Sequence, residues 1–249
     1  MDVIFTPRVA VARARRRAAA KAATLVVALS AALSTAAVVA PTSAGASTRS
    51  TAIAEARTGL IVKSDFPAGW TSSPSSNSSS TLGDAQVAAC LGVSVAFVKY
   101  NPPSAYSPDF SDAATGTSVS DDVSVFPSEK IARAQFSVFT SARTPVCFAK
   151  VFNIPSFKKT FEGQLGSGVK IGTVTAAWLA KPPVGDGASA LQVTLPFTEK
   201  GAHYSIAITL VTMISKLVGD QLSFTTIDGA SFPASLATHL EKVTVQRLP

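Results

Sequence analysis

The sequence predicts an α+β fold: an antiparallel β-sheet, with a meander in its C-terminal half, covered by helices and tied by one structural disulfide. Three observations predict it. The hydrophobic period changes from helical to two beyond Gly168, the period-two runs are separated by short polar turns, and a chain of 249 residues has only two cysteines, Cys90 and Cys147.

The N-terminus reads as an export leader. Arg8, Arg13, Arg15, Arg16, Arg17 and Lys21 precede an uncharged run over 22–40, and Ala44-Gly45-Ala46 supplies a small-x-small cleavage site. Residues 1–46 are therefore expected to be a signal peptide cut after Ala46. The alternative is an uncleaved anchor over Thr24 to Ala40, at the short limit for spanning a bilayer. Only then would the protein contact a membrane, since no cysteine stands directly after the apolar run to carry a lipid, the first being Cys90. The rest is expected to be secreted or held in the cell envelope. The leader holds six of the 22 basic residues and one of the 15 acidic ones, so 16 face 14 afterwards, net +2. The overall +7 then belongs mostly to the leader, and nucleic-acid binding is disfavoured.

Residues 47–81 read as an N-terminal segment with a flexible serine-rich loop and 82–249 as the main α+β domain, the two forming one folded unit. A short helix is expected over 53–62. The run 71–81, TSSPSSNSSST, has no apolar residue and predicts a mobile loop. Helices follow over 82–91, bringing Cys90 near its end, and over 128–143, where Ile131, Ala132, Ala134, Phe136, Val138, Phe139 and Ala142 share one broad face. A further helix over 145–152 carries Cys147. In an oxidising compartment an isolated cysteine pair forms a structural bridge more often than a reactive or metal site, here tying two helices.

Beyond Gly168 the residues 169–180 read as a strand. Leu191, Val193, Leu195 and Phe197 alternate with polar positions, Glu199-Lys200-Gly201 turns, and Tyr204, Ile206, Ile208 and Leu210 alternate again. Gly219-Asp220 is expected to turn into a strand over 221–227. A last helix over 231–248, with Leu236, Leu240 and Val243 on one side, helps to cover the apolar face of the sheet.

Few residues suggest chemistry. Asp121 and Asp122 are adjacent on an expected strand and point to opposite faces, so they read as solvent-facing or loop residues and not as an acid/base pair. Asp109 and Asp112 flank Phe110 in a loop where they could hold a metal weakly, although turn duty is commoner. Trp70 and Trp178 could line a ligand-binding pocket, although core roles are commoner. His203 and His239 read as surface residues outside any catalytic order, and Gly166-Ser167-Gly168 reads as a turn. No cofactor, no metal, no catalytic residue and a monomer are expected.

Asp65-Phe66-Pro67-Ala68-Gly69-Trp70, then Ala89-Cys90-Leu91-Gly92-Val93, then Pro108-Asp109-Phe110-Ser111 follow one another in a characteristic order. The segments 123–143, Cys147, 191–197, Phe224 and the C-terminal helix continue it. This order resembles exported sensor-type domains of actinobacteria, such as the extracellular sensor domain of a mycobacterial serine/threonine kinase and related secreted lipoproteins. The resemblance implies a non-enzymatic binding or sensing module of the cell envelope, with a cleft for an unknown small-molecule, lipid or envelope-protein ligand. It departs in its single disulfide where the kinase domain has two. An adaptor working through a protein surface and an exported hydrolase with an unrecognised site are the alternatives.

Overall fold

The computed structural model describes residues 43–75 and 83–248. The expected leader lies outside them except for its last four residues, and helix α1 (Ser43–Gly59) runs through the expected cleavage point after Ala46. It ends earlier than the sequence predicts. Leu248 and Val123 crowd Gly59, where a Cβ would lie 3.1 Å from the leucine, and beyond it Ile61 gives its backbone N–H to the Asp121 carboxylate instead of to a helical carbonyl.

Nine strands among the described residues build one sheet with antiparallel pairing throughout. They are β1 (Thr71–Ser73), β2 (Ser104–Tyr106), β3 (Asp109–Asp112), β4 (Thr117–Val125), β5 (Val169–Ile171), β6 (Thr175–Trp178), β7 (Gly187–Glu199), β8 (Ala202–Ser215) and β9 (Val218–Ile227). The order across the sheet is β1-β3-β4-β9-β8-β7-β5, with β2 beside β4 and β6 beside β7.

The C-terminal meander forms as the alternation predicts. The β7–β8 hairpin turns at Lys200-Gly201, both with positive φ, where glycine carries no Cβ penalty. The next turn differs from expectation. Val218 already pairs with Ser215, so the chain reverses at Lys216-Leu217, and Gly219 and Asp220 lie inside β9. The Phe126 ring lies where a Cβ on Gly219 would stand, 2.9 Å away, which explains a glycine within a strand.

Two further segments depart from the pattern their residues predict. The expected strand 169–180 is two short ones, because Pro196 of β7 has no N–H to continue the ladder and its carbonyl instead accepts from Gly172. Thr71–Ser73 of the expected mobile loop pair with β3, and Asp109–Asp112 form that strand and not a loop. Burial of Phe110, stacked 4.4 Å from Phe66 between ring centroids, holds β3 in place. The part of the loop over 76–82 lies outside the described residues.

Helices α2 (Asp84–Leu91), α3 (Val95–Val98), α4 (Glu129–Phe139), α5 (Thr144–Phe152), α6 (Pro155–Leu165) and α7 (Ala234–Arg247) complete the fold. Ser128 caps α4, its Oγ accepting from Ile131 N–H, and Pro145 and Pro155 open α5 and α6, where a missing N–H costs nothing. The Cys90–Cys147 disulfide ties α2 to α5, with Cα atoms 5.5 Å apart.

Helices cover both faces of the sheet, where the sequence predicts a cover for one. On one face Phe148, Phe152, Phe157 and Phe161 of α5 and α6 pack on Leu191, Val193, Ile206 and Ile208. On the other, Leu240 of α7, with Ile61 and Trp70, packs on Met213, Leu222 and Phe224, and α1 lies on Val123 and Val125. This two-sided burial accounts for the near-continuous apolar run of β8 and for the burial of most of β9, polar residues included.

Candidate functional site

The strict alternation of each long strand sends Leu191, Leu210, Thr212, Gln221, Asp122 and Ser124 to the α4–α5 face. There the helices do not close on the sheet. A largely apolar cleft of about 130 Å³, partly open to solvent, lies between them. Its roof is Ala132, Gln135, Phe136 and Phe139 of α4 with Thr144 and Phe148 of α5. Tyr100, Asn101 and Phe126 flank it, Tyr100 stacked on Phe126 at 6.4 Å between centroids.

The roof corrects the broad face read from the helical wheel. Only Ala132 of α4 is buried; Ile131 and Ala134 are exposed, and Phe136 and Phe139 are half-buried because the cleft lies beneath them.

The floor is graded across the sheet. One cross-strand row reads Trp178, Leu191, Leu210; a neighbouring one reads Thr212, Gln221, Asp122, each residue directly paired with the next. A third places Gly219 beside Ser124, whose hydroxyl lies 2.7 Å from that of Ser104. Apolar side chains thus lie under α5 and polar ones towards β4 and β2. Gly187 and Gly219 keep the floor open beneath two rings, since a Cβ would stand 3.2 Å from Phe136 at the first and 2.9 Å from Phe126 at the second.

On the opposite face Asp121 and Asp220 form a fully buried acid pair, diagonal across β4 and β9. Asp121 is therefore not solvent-facing, although it and Asp122 do point to opposite faces. As two carboxylates the pair would leave both Asp220 oxygens without a donor. One proton gives the pair its hydrogen bond: Asp220 keeps it and donates to Asp121, which also accepts from Ile61 N–H at 2.9 Å. Burial pushes the Asp121 carboxyl up to about 6 against the lowering effect of these hydrogen bonds and of the Arg247 charge. Burial, the adjacent Asp121 charge and the proton given to it raise Asp220 well above the usual carboxylate range. Ser107 Oγ accepts from Asp121 N–H at 3.0 Å, and Ser107 is itself buried.

This pair anchors the segment after α1 from beneath, and Arg247 holds it from above. Its guanidinium donates two 2.7 Å hydrogen bonds to the Asp65 carboxylate and one of 3.0 Å to Leu60 C=O. Burial alone would raise the Asp65 carboxyl, but the Arg247 hydrogen bonds, Val62 N–H and the Arg247 charge together hold it below its ordinary value. The acid pair is closed off in this packing, so it acts as structure.

The residues singled out in the sequence separate. Trp178 lines the cleft, whereas Trp70 sits in the opposite core, 4.9 Å from Phe66 and 5.7 Å from Phe232 between centroids. Asp112 spends its carboxylate on its own turn, accepting from Ala114 N–H and Thr115 Oγ, and Asp109 pairs with Ser73 across β1 and β3. No group of three or more metal-ligating side chains occurs among the described residues. His203 and His239 are exposed, on β8 and α7, and neither lines the cleft. Gly166 and Gly168 occupy the positive-φ connection from α6 to β5.

Sequence reasoning missed the row Thr212, Gln221, Asp122 and the partnership of Asp121 with Asp220. Register links residues about 100 positions apart, which no local period reports. The signal available was a run of polar residues within otherwise apolar strands.

No protein-family model and no curated protein matches the chain. Among solved structures it is similar to the crystal structure of the extracellular domain of PknH from Mycobacterium tuberculosis, at 14% identity and a TM-score of 0.35, covering 79% of this chain and 96% of that one. The resemblance read from the sequence is thus a distant one in structure.

Proposed function

We propose that the protein is an exported, non-enzymatic binding or sensing domain of the cell envelope whose ligand enters the cleft between the sheet and α4–α5. The observation that carries this is the cleft itself: about 130 Å³ of mostly apolar-lined space left where an amphipathic helix would otherwise pack onto a sheet. Leaving Phe136, Phe139 and Trp178 only half-buried forgoes part of the about 1.5–3 kcal/mol that full burial of each large side chain would bring, which a bound apolar ligand would recover. The Cys90–Cys147 bridge supports an oxidising, extracytoplasmic compartment. No helix among the described residues is long and apolar enough to cross a membrane.

Native mass spectrometry tests the reading. After incubation with an envelope lipid extract, the protein should retain a bound mass at one per chain, and Thr212→Phe, which fills the floor of the cleft, should lose it. No retained mass, or equal retention by the filled variant, contradicts the proposal.

A further inference from the structure

Resting on that cleft reading, we infer that the ligand is an uncharged amphiphile: an apolar chain lying on Trp178, Leu191 and Leu210 beneath the α4–α5 aromatics, with a head of hydroxyl or amide type at Thr212 and Gln221. The grading of the floor sets its direction. Trp178, Leu191 and Leu210 form one cross-strand row with no polar side-chain atom except the indole N–H, and Thr212 pairs directly with Gln221 in the row beside it on the same face. An elongated molecule lying across the sheet therefore meets apolar surface at one end and polar side chains at the other.

The charges of the lining decide against an ionic head. No lysine, arginine or histidine among the described residues lines the cleft, so an anionic head would be desolvated there with no counter-ion. The acids that border it are Asp122 and Asp220. Asp220 turns its side chain to the opposite face, where it gives its proton to Asp121, and Asp122 already carries an interaction within the protein, so neither stands vacant for a cation. What the polar end offers instead is neutral hydrogen-bonding groups, and several of these are spent. Ser104 gives its hydroxyl proton to Pro102 C=O at 3.0 Å, so the 2.7 Å contact between the two serine hydroxyls takes its proton from Ser124. In the roof, Gln135 gives its amide to Phe97 C=O at 3.1 Å and Thr144 its hydroxyl to Val138 C=O at 3.2 Å. On the floor Thr212 and Gln221 remain, half-buried and side by side across β8 and β9, and a hydroxyl beside a carboxamide can both donate and accept.

Four probes of closely matched length test this, each displacing the neutral fluorophore N-phenyl-1-naphthylamine at about pH 7.5, where amine and carboxylate are both charged. They are decanol, its isomer 1-methoxynonane, which accepts a hydrogen bond but cannot donate one, decylamine and decanoate. Decanol should bind about tenfold more tightly than decylamine or decanoate, and about threefold to tenfold more tightly than the ether, the range of one net hydrogen bond. In Thr212→Val and in Gln221→Leu the affinity for decanol should fall by that factor towards the ether's while ether binding is retained, which also shows the cleft intact. Decylamine or decanoate binding as tightly as decanol, decanol and the ether binding equally, or a preference unchanged in both variants overturns the inference while leaving the cleft reading standing. Failure of all four probes and of the fluorophore to bind overturns both.

Discussion

Replacing Asp121 by asparagine should stabilise the protein at neutral pH and do little in acid. Both acids of the buried pair have folded-state values above their unfolded ones, so the stability they permit is fully present below about pH 4 and is lost as pH rises through the folded values. For Asp121 the loss is bounded: its carboxyl moves from an ordinary 3.8 to about 6, and at about 1.36 kcal/mol per unit the cost is about 3 kcal/mol once the pH exceeds that folded value. In the variant the new amide oxygen would still accept from Ile61 N–H, and the amide NH₂ would donate to Asp220 with no borrowed proton. The substitution also removes the charge that raises Asp220. Urea unfolding at about pH 4 and about pH 7.5 reads the effect. Asp121→Asn should gain about 3 kcal/mol over the parent at about pH 7.5, or roughly 6–12 °C in Tm for a chain of this size, and under about 1 kcal/mol at about pH 4. Parallel stability curves for the two proteins across this range would refute the shared-proton arrangement.

Three further outcomes follow from the same structure. Arg247→Ala leaves the Asp65 carboxylate and Leu60 C=O without their donor; because Arg247 is partly exposed, the cost should be about 2 kcal/mol by urea unfolding at about pH 7, shrinking below about pH 4 because Asp65 has a depressed folded-state value. Replacing Cys90 and Cys147 together by serine should cost about 4 kcal/mol, the closure entropy of a loop with a separation of 57 residues, and thiol-reactive mass labelling of the parent should find no free thiol until it is reduced. Gly219→Ala drives a methyl group into the Phe126 ring, and should cost about 1–3 kcal/mol and weaken displacement-probe binding together, since Phe126 flanks the cleft.

Local physics was legible in the sequence where one residue's neighbours decide its state. The alternation of 191–197 and 204–210, the Lys200-Gly201 turn, the helix beginning at Ser128 and the cysteine pairing all rest on contacts within a strand, a turn or a helix, or on redox compartment. The antiparallel sheet and its helical cover followed from these. What was not legible depends on distant partners. Gly219-Asp220 looks like a turn until Phe126 and Asp121 are placed against it, and 169–180 looks like one strand until the missing N–H of Pro196 is set opposite Gly172. Helix α6 announces itself only weakly, through Pro155 and the spacing of Phe157, Phe161 and Leu165. Of the site, residue type alone points to Trp178, but it points equally to Trp70, and only the fold separates a cleft wall from a core residue.

That separation supplies the most direct test, because these are the two tryptophans of the chain. Titrating decanol into Trp70→Phe follows Trp178 alone, and into Trp178→Phe follows Trp70 alone, with circular dichroism confirming that both variants are folded. Occupation of the cleft predicts a saturable shift of the Trp178 emission to shorter wavelength and an unmoved Trp70 emission. A silent Trp178, or equal responses from both, would contradict a ligand site between the sheet and α4–α5.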